Sequence, residues 1–337
     1  MTILKLEPIV EMLRRKLRAP GLDVAAAAEA GRIIVCGTDV PAGYVGVVSV
    51  PPDTIVAVAA DLHYRLTRYA DPLAVIEKYR ADGGTDFHEI LSVLRRHSFD
   101  GNLSERKVAK MNPERVNGYE IIDRPHMGRI IRMRRDMSPL FHQMFLQQIL
   151  APHVTDDLDA VLDVGCGYGD LLAELAAETP RTGPAFFGGE VALPGVACLR
   201  HFAEMLGRDN LRGVELDIRD PDFEFLRGKK RVLVISHFAL VYVAPFSPDF
   251  WHKLFSVVPE VRAVLMEPFS FSVPELAPEP LFTRERAQFY GIAQNFFEVM
   301  RELEKGGEIE ITEVVPDITG LTTNSTISLL RFRRTPR

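Results

Sequence analysis

From residue 150 onward, short apolar runs alternate with stretches in which apolar residues recur every three or four positions. The runs read as buried strands and the 3.6-residue rhythm as amphipathic helices. The pattern predicts strand 160–164, helix 169–178, strand 185–190, helix 195–206, strand 212–217, strand 231–236, helix 248–257 and strand 261–267. Beyond Pro280 it predicts helix 283–305, then strands 308–315 and 324–333. Strands alternating with helices imply a parallel sheet covered on both faces. Only Pro316–Thr323 separates the last two strands, too short for a crossover helix, so they are expected to pair as an antiparallel hairpin.

The first half is mixed. Residues 3–18 read as a helix with Ile3, Leu6, Val10, Leu13 and Leu17 on one face. Residues 32–60 are Val- and Ile-rich, broken by Gly37, Pro41–Gly43 and Pro51-Pro52, and suggest short strands joined by turns. Asp71–His97 returns to helix, with Ile76, Tyr79, Phe87, Ile90 and Leu94 inward. Residues 98–128 are polar and turn-rich, and a longer amphipathic segment, Arg129–Leu150, leads into the second half. We therefore expect a substrate-covering or dimerising domain over 1–130, mixed α+β, and a second domain over 131–337.

Composition narrows the function. The 337 residues are 47% hydrophobic and 26% charged, which suits a globular core of ordinary size. A net charge of −6 argues against a generic nucleic-acid binder, because phosphate neutralisation needs basic surface. The best local exception is the basic run Arg129–Arg135. Cys36, Cys166 and Cys198 form no CxxC pair, which fits a reducing cytoplasm. The first residues lack the uninterrupted apolar stretch of a signal peptide, and no apolar run approaches a membrane span of ~18 residues. A soluble cytoplasmic protein with no membrane partner is expected.

The most informative segment is Ala160–Leu172, AVLDVGCGYGDLL. An apolar strand carrying Asp163 gives way to Gly165, Gly167 and Gly169, then to a helix. Glycines let the backbone turn tightly and approach a ligand. Dinucleotide sites use a related G-x-G-x-x-G loop. Here the spacing is G-x-G-x-G, and Asp163 would repel a pyrophosphate while favouring an ammonium group.

VLDVGCGYGDLL resembles the first motif of the class I S-adenosylmethionine-dependent methyltransferases, and the resemblance extends over about residues 150–335. It implies a Rossmann-like, doubly wound, mainly parallel α/β sheet of seven strands with an antiparallel final hairpin. It implies S-adenosylmethionine as cofactor, bound by Asp163, Gly165, Gly167 and Gly169. Glu190, closing the strand FFGGE, would accept hydrogen bonds from the ribose hydroxyls. In VELDIR, Asp217 would meet the adenine amino group and Ile218 would pack on its ring. The strand ending in Ser236-His237 would border the methyl group.

Methyl transfer needs the acceptor held collinear with the methyl group, and a base only where the acceptor carries a proton. His237 is read as base or substrate ligand, or else as a structural histidine. Glu267 would orient His237, bind substrate, or cap local backbone. His142, with Arg135, lies on the segment that lids the site in many such enzymes, and Tyr290 and Asn295 are further pocket candidates. No H-x-x-x-H or Asp-Asp-Asn cluster suggests a metal, and none is expected. The expected function is methylation of a small molecule such as an amino acid, keto acid, sugar or secondary metabolite, by a chain that could form a homodimer. A protein or peptide methyltransferase is the alternative. A dinucleotide-dependent oxidoreductase is less favoured, as is a non-catalytic scaffold.

Overall fold

A computed structural model of the chain describes residues 64–66, 68–102, 114–116, 119–273, 283–289, 291–320 and 326–334. The helix expected over 3–18, the strands expected over 32–60, Cys36 and Tyr290 lie outside the described residues. Two compact units are present, Met1–Thr67 and Arg68–Arg337, and the second contains every element below.

The predicted parallel strands form as β4 (Ala160–Val164), β5 (Ala185–Glu190), β6 (Leu211–Glu215), β7 (Arg231–His237) and β8 (Glu260–Glu267). They lie in the order β6-β5-β4-β7-β8, all parallel. Beyond β8 come β10 (Thr326–Arg334) and then β9 (Glu310–Gly320), both antiparallel to their neighbours, as the short connection required. Side chains alternate between two cores. Leu162, Val234 and Leu265 face one, with Trp251 and Phe250 of the helix Asp249–Val257. Val161, Leu233 and Val264 face the other, with Leu172 and Phe202. The strands are thus buried on both faces, which explains their continuous apolar runs.

Among the described residues, the helices α1 (Ala70–Ala81), α2 (Phe87–Asn102) and α3 (Ser138–Leu150) precede the sheet's central strand. The single helix expected over 71–97 is two, because Gly83 (φ +87°) turns the chain and Asp86 Oδ1 accepts from the His88 and Glu89 amides, restarting it. The segment Arg129–Leu150 is likewise not one amphipathic element. Arg129–Arg134 is β3, a strand, and Pro139 in the first turn of α3 restarts the chain as helix. β3 pairs with β2 (Tyr119–His126) through a two-residue turn, Met127-Gly128, both at positive φ. β1 (Glu114–Val116) and β2 lie within the stretch expected to be turn-rich, and with β3 they extend the sheet beyond β9 through His126 and Thr319. The helix expected over 283–305 is also two, Arg284–Phe289 and Phe296–Lys305, separated at Gly291 (φ +65°).

Candidate functional site

β4 is the central parallel strand, hydrogen-bonded to β5 and β7. Where it ends, Gly165, Gly167 and Gly169 all take left-handed backbone, at φ +71°, +64° and +83°. A Cβ on Gly165 would overlap the Ala239 methyl, and one on Gly169 would lie 2.6 Å from Leu199 Cδ1. Both positions therefore require glycine for conformation and for space. The loop is pinned to the neighbouring strand, since the Gly165 and Cys166 amides donate to the Gly189 carbonyl at 2.7 and 3.1 Å. Gly169 then leads into α4 (Asp170–Glu178). Tyr69, which sequence reasoning passed over, rests its hydroxyl on Gly167, 3.2 Å from where a Cβ would stand.

Carboxylates crowd this loop. Glu190, buried at the end of β5, accepts from the Gly167 amide at 3.1 Å and the Ala192 amide at 2.9 Å, one on each oxygen. Burial raises its pKa, and those amides oppose the shift. Asp163 is buried too, and its pKa is pushed up to about 8, first by burial and then by Asp170, Glu190 and Glu267. A helix N-terminus alone attracts anions, but here three carboxyl groups, Asp163, Asp170 and Glu190, stand near it, Asp170 paired with Arg95. The crevice suits a ligand carrying positive charge and is hostile to a pyrophosphate.

Asp217 and Ile218 lie just past the end of β6, whose Glu215 is in register with Glu190. Asp217 Oδ1 accepts from the Arg219 amide at 3.1 Å and from Arg219 Nε at 3.0 Å, so its carboxylate is already held in place. Ile218 is half-buried against the core. The glycine loop, Glu190 and the Asp217 turn are thus gathered at the carboxyl ends of adjacent strands, where ligands bind in open α/β sheets.

Ser236 behaves differently from expectation, and Glu267 takes one of the roles expected of it, the capping of local backbone. Ser236, thought to border the ligand, is fully buried and donates to Glu267 Oε1 at 2.6 Å. Glu267, also fully buried, accepts from the Ala239 and Leu240 amides, each at 3.1 Å. Burial lifts its pKa to about 7 against these hydrogen bonds. Its oxygens face backbone rather than His237, so it anchors the turn after β7. That turn begins at Phe238, held at φ +58°.

His237 and His142 do come together, with ring centroids 5.3 Å apart. Burial lowers the pKa of His237 to about 4. His142 is shifted well below its usual value by burial, then by the neighbouring charges of His237 and Arg124. Both rings are therefore neutral at pH 7. Asn295 instead bridges the Phe246 backbone, accepting from its amide and donating to its carbonyl. The Arg129–Arg135 run supplies surface ion pairs, Arg132 with Asp123 and Arg135 with Glu120. The arginine that matters structurally is Arg124, fully buried on β2. A period-2 pattern of Ile122, Arg124 and His126 could have revealed it, had that stretch been read as strand.

Among the described residues no group of three or more His, Cys, Asp or Glu could hold a metal ion. No helix among them is long and apolar enough to cross a membrane.

The strand order and the antiparallel final hairpin make this the Rossmann-like fold of the class I S-adenosylmethionine-dependent methyltransferases. No family model matches the chain. A curated tRNA (guanine-N(7)-)-methyltransferase from Marinobacter nauticus is 35% identical over 92 residues, 27% of this chain. That match spans about a third (34%) of the relative's length. Similar solved structures include a magnesium protoporphyrin IX methyltransferase from Synechocystis with bound SAH, 17% identical, covering 60% of this chain and 87% of that one, with a TM-score of 0.41. Another is the O-methyltransferase NcsB1 from neocarzinostatin biosynthesis, 14% identical over 60% of this chain and 55% of that one, also with a TM-score of 0.41.

Proposed function

We propose that this chain transfers a methyl group from S-adenosylmethionine to a small-molecule acceptor. The observation that carries this reading is the pairing of a left-handed glycine loop with buried Asp163 and Glu190 at the end of the central strand. The residues fit the cofactor: the buried carboxylates Asp163 and Glu190 match a ligand with ammonium and sulfonium charges.

When bound, S-adenosylmethionine supplies an electrophilic methyl group on a positively charged sulfur. Glu190 would accept from the ribose hydroxyls while retaining its amide donors. Asp217, steadied by Arg219, and Ile218 face the adenine end. Asp163 balances the positive end. Glu267 and Ser236 position the turn that carries His237, and neither touches the reacting atoms. With a pKa near 4, His237 is a weak base. It accepts a hydrogen bond from the acceptor and orients it, and carries a proton only in passing. His142 packs beside it.

A second reading, an RNA acceptor, is favoured by the tRNA-modifying name of the curated relative. A net charge of −6 does not exclude it, since recognition needs only a local basic patch. Crystals grown with S-adenosylhomocysteine test the common core. Ribose oxygens on Glu190 and an adenine ring against Ile218 are expected, and a ligand seated elsewhere contradicts the assignment.

A further inference from the structure

Arg124 projects from β2 into the protein with 0% of its surface exposed. Its Nη1 donates to the Ser138 hydroxyl and carbonyl at the start of α3, and its Cζ stands 5.3 Å from the centroid of the Phe141 ring. Nε and Nη2 are buried with no hydrogen-bond partner. Burial pulls the guanidinium pKa down to about 10, which leaves it charged at neutral pH, and among the described residues no carboxylate offsets the shift. A buried charge without a partner is strongly unfavourable, and an orphaned buried donor calls for a cause.

Other polar atoms around it are orphaned as well. His126 Nδ1, His142 Nδ1 and Thr319 Oγ1 are all buried without a partner, and Thr319 stands opposite His126 in the sheet. The rings of Phe141 and Phe145 stack at 6.3 Å, and His126 packs edge-on against both. His142 feels the charge of Arg124 on one side and lies against His237 on the other. The orphaned group is therefore continuous with the histidine at the end of β7, beside the proposed methyl site.

We infer that the Nε–Nη2 edge of Arg124 anchors a carboxylate of the acceptor, with His142 and His237 between that anchor and the transferred methyl. The inference rests on the methyltransferase reading and names its acceptor class, a small organic acid. Nε and Nη2 share one edge of the planar guanidinium, and their spacing matches the two oxygens of a carboxylate. A flat, singly charged group suits the aromatic walls and the two remaining donors, whereas a dianionic phosphate would ask for more. Because the edge has no exposed surface, a neighbouring segment must give way for loading.

The test is calorimetric titration of the full chain, with and without S-adenosylhomocysteine, using benzoate, 4-hydroxybenzoate, 2-oxoglutarate, the amides of the two benzoates and inorganic phosphate. At least one carboxylate should bind. A benzoate that binds should do so at least tenfold more tightly than its amide. Arg124→Gln should weaken the acid at least tenfold while S-adenosylmethionine affinity stays within twofold. Binding of no carboxylate, equal binding by the variant, or binding of phosphate alone overturns the inference. If Arg124→Gln does not fold, thermal melts of the unaltered protein at constant ionic strength decide. A rise in Tm with a carboxylate but not with the amides supports the anchor, and no rise removes it. Loss of S-adenosylmethionine binding by the unaltered protein would instead strike the methyltransferase reading, and carboxylate binding without it would leave the anion site standing.

Discussion

The glycine-loop crevice and the pocket around Arg124 are built from opposite charges, and each is left unbalanced by the protein itself. In the first, burial and then the neighbouring charges of Asp170, Glu190 and Glu267 push Asp163 to a pKa of about 8. In the second, a guanidinium with two orphaned donors stands near neutral His142, with no carboxylate offsetting it among the described residues. Glu267, fully buried, shows what a buried carboxyl partnered within the fold looks like here: its oxygens are taken by a hydroxyl and backbone amides. The difference teaches where ligands belong. Glu267 is partnered wholly within the fold, whereas the Nε–Nη2 edge of Arg124 has no hydrogen-bond partner among the described residues.

The largest expected effect falls on the satisfied group. Glu267→Ala would orphan the Ser236 hydroxyl and the Ala239 and Leu240 amides, and should cost about 3–5 kcal/mol in urea denaturation. If stability held and only turnover fell, Glu267 would belong with the ligand-facing groups and the contrast would break.

The buried acids should appear as a pH effect. Asp163 and Glu267 have folded pKa values, about 8 and about 7, above those of the unfolded chain, so the folded state holds extra protons and loses stability as pH rises. His237, lowered to about 4, acts in the opposite direction, but only below its unfolded value near 6.5. Between pH 6.5 and 8 the carboxylates therefore dominate. The ligand-free protein should lose stability by at most about 1.4 kcal/mol per pH unit for each group. Asp163→Asn should flatten the slope, and thermal melts across that window check it.

Two smaller effects sharpen the cofactor side. Glu190→Ala should weaken S-adenosylmethionine binding by about 1–3 kcal/mol, since charge-assisted hydrogen bonds are lost. An unchanged affinity would remove Glu190 from the site. Asp217→Asn should cost only about 0.5–1 kcal/mol of that binding, because Arg219 still holds the side chain and an amide oxygen still accepts. A larger loss than for Glu190→Ala would reverse their ranking.

Much of the acidic crevice was legible in the sequence and almost none of the basic pocket was. The glycines, Asp163 and Glu190 stand at strand ends within runs whose apolar rhythm is unambiguous, so residue type and position coincide. Ser236 and Glu267 were located correctly, but a strand-end carboxylate faces ligand or backbone with the same sequence, and only its hydrogen-bond partners decide. Arg124 was missed because Tyr119–His126 mixes charge, proline and apolar residues, and the Met127-Gly128 turn lacks the Asn-Gly signature that marks a hairpin. Helices 71–97 and 283–305 were drawn too long because amphipathic rhythm continues across Gly83 and Gly291, where backbone conformation ends each helix.

The most direct test is calorimetric titration of the purified protein with S-adenosylmethionine, and separately with NAD and NADP. Selective binding of S-adenosylmethionine is expected, because an acidic crevice favours a cationic ligand and repels a pyrophosphate. Preference for a dinucleotide, or no binding of S-adenosylmethionine, would contradict the assignment of the glycine loop and its carboxylates.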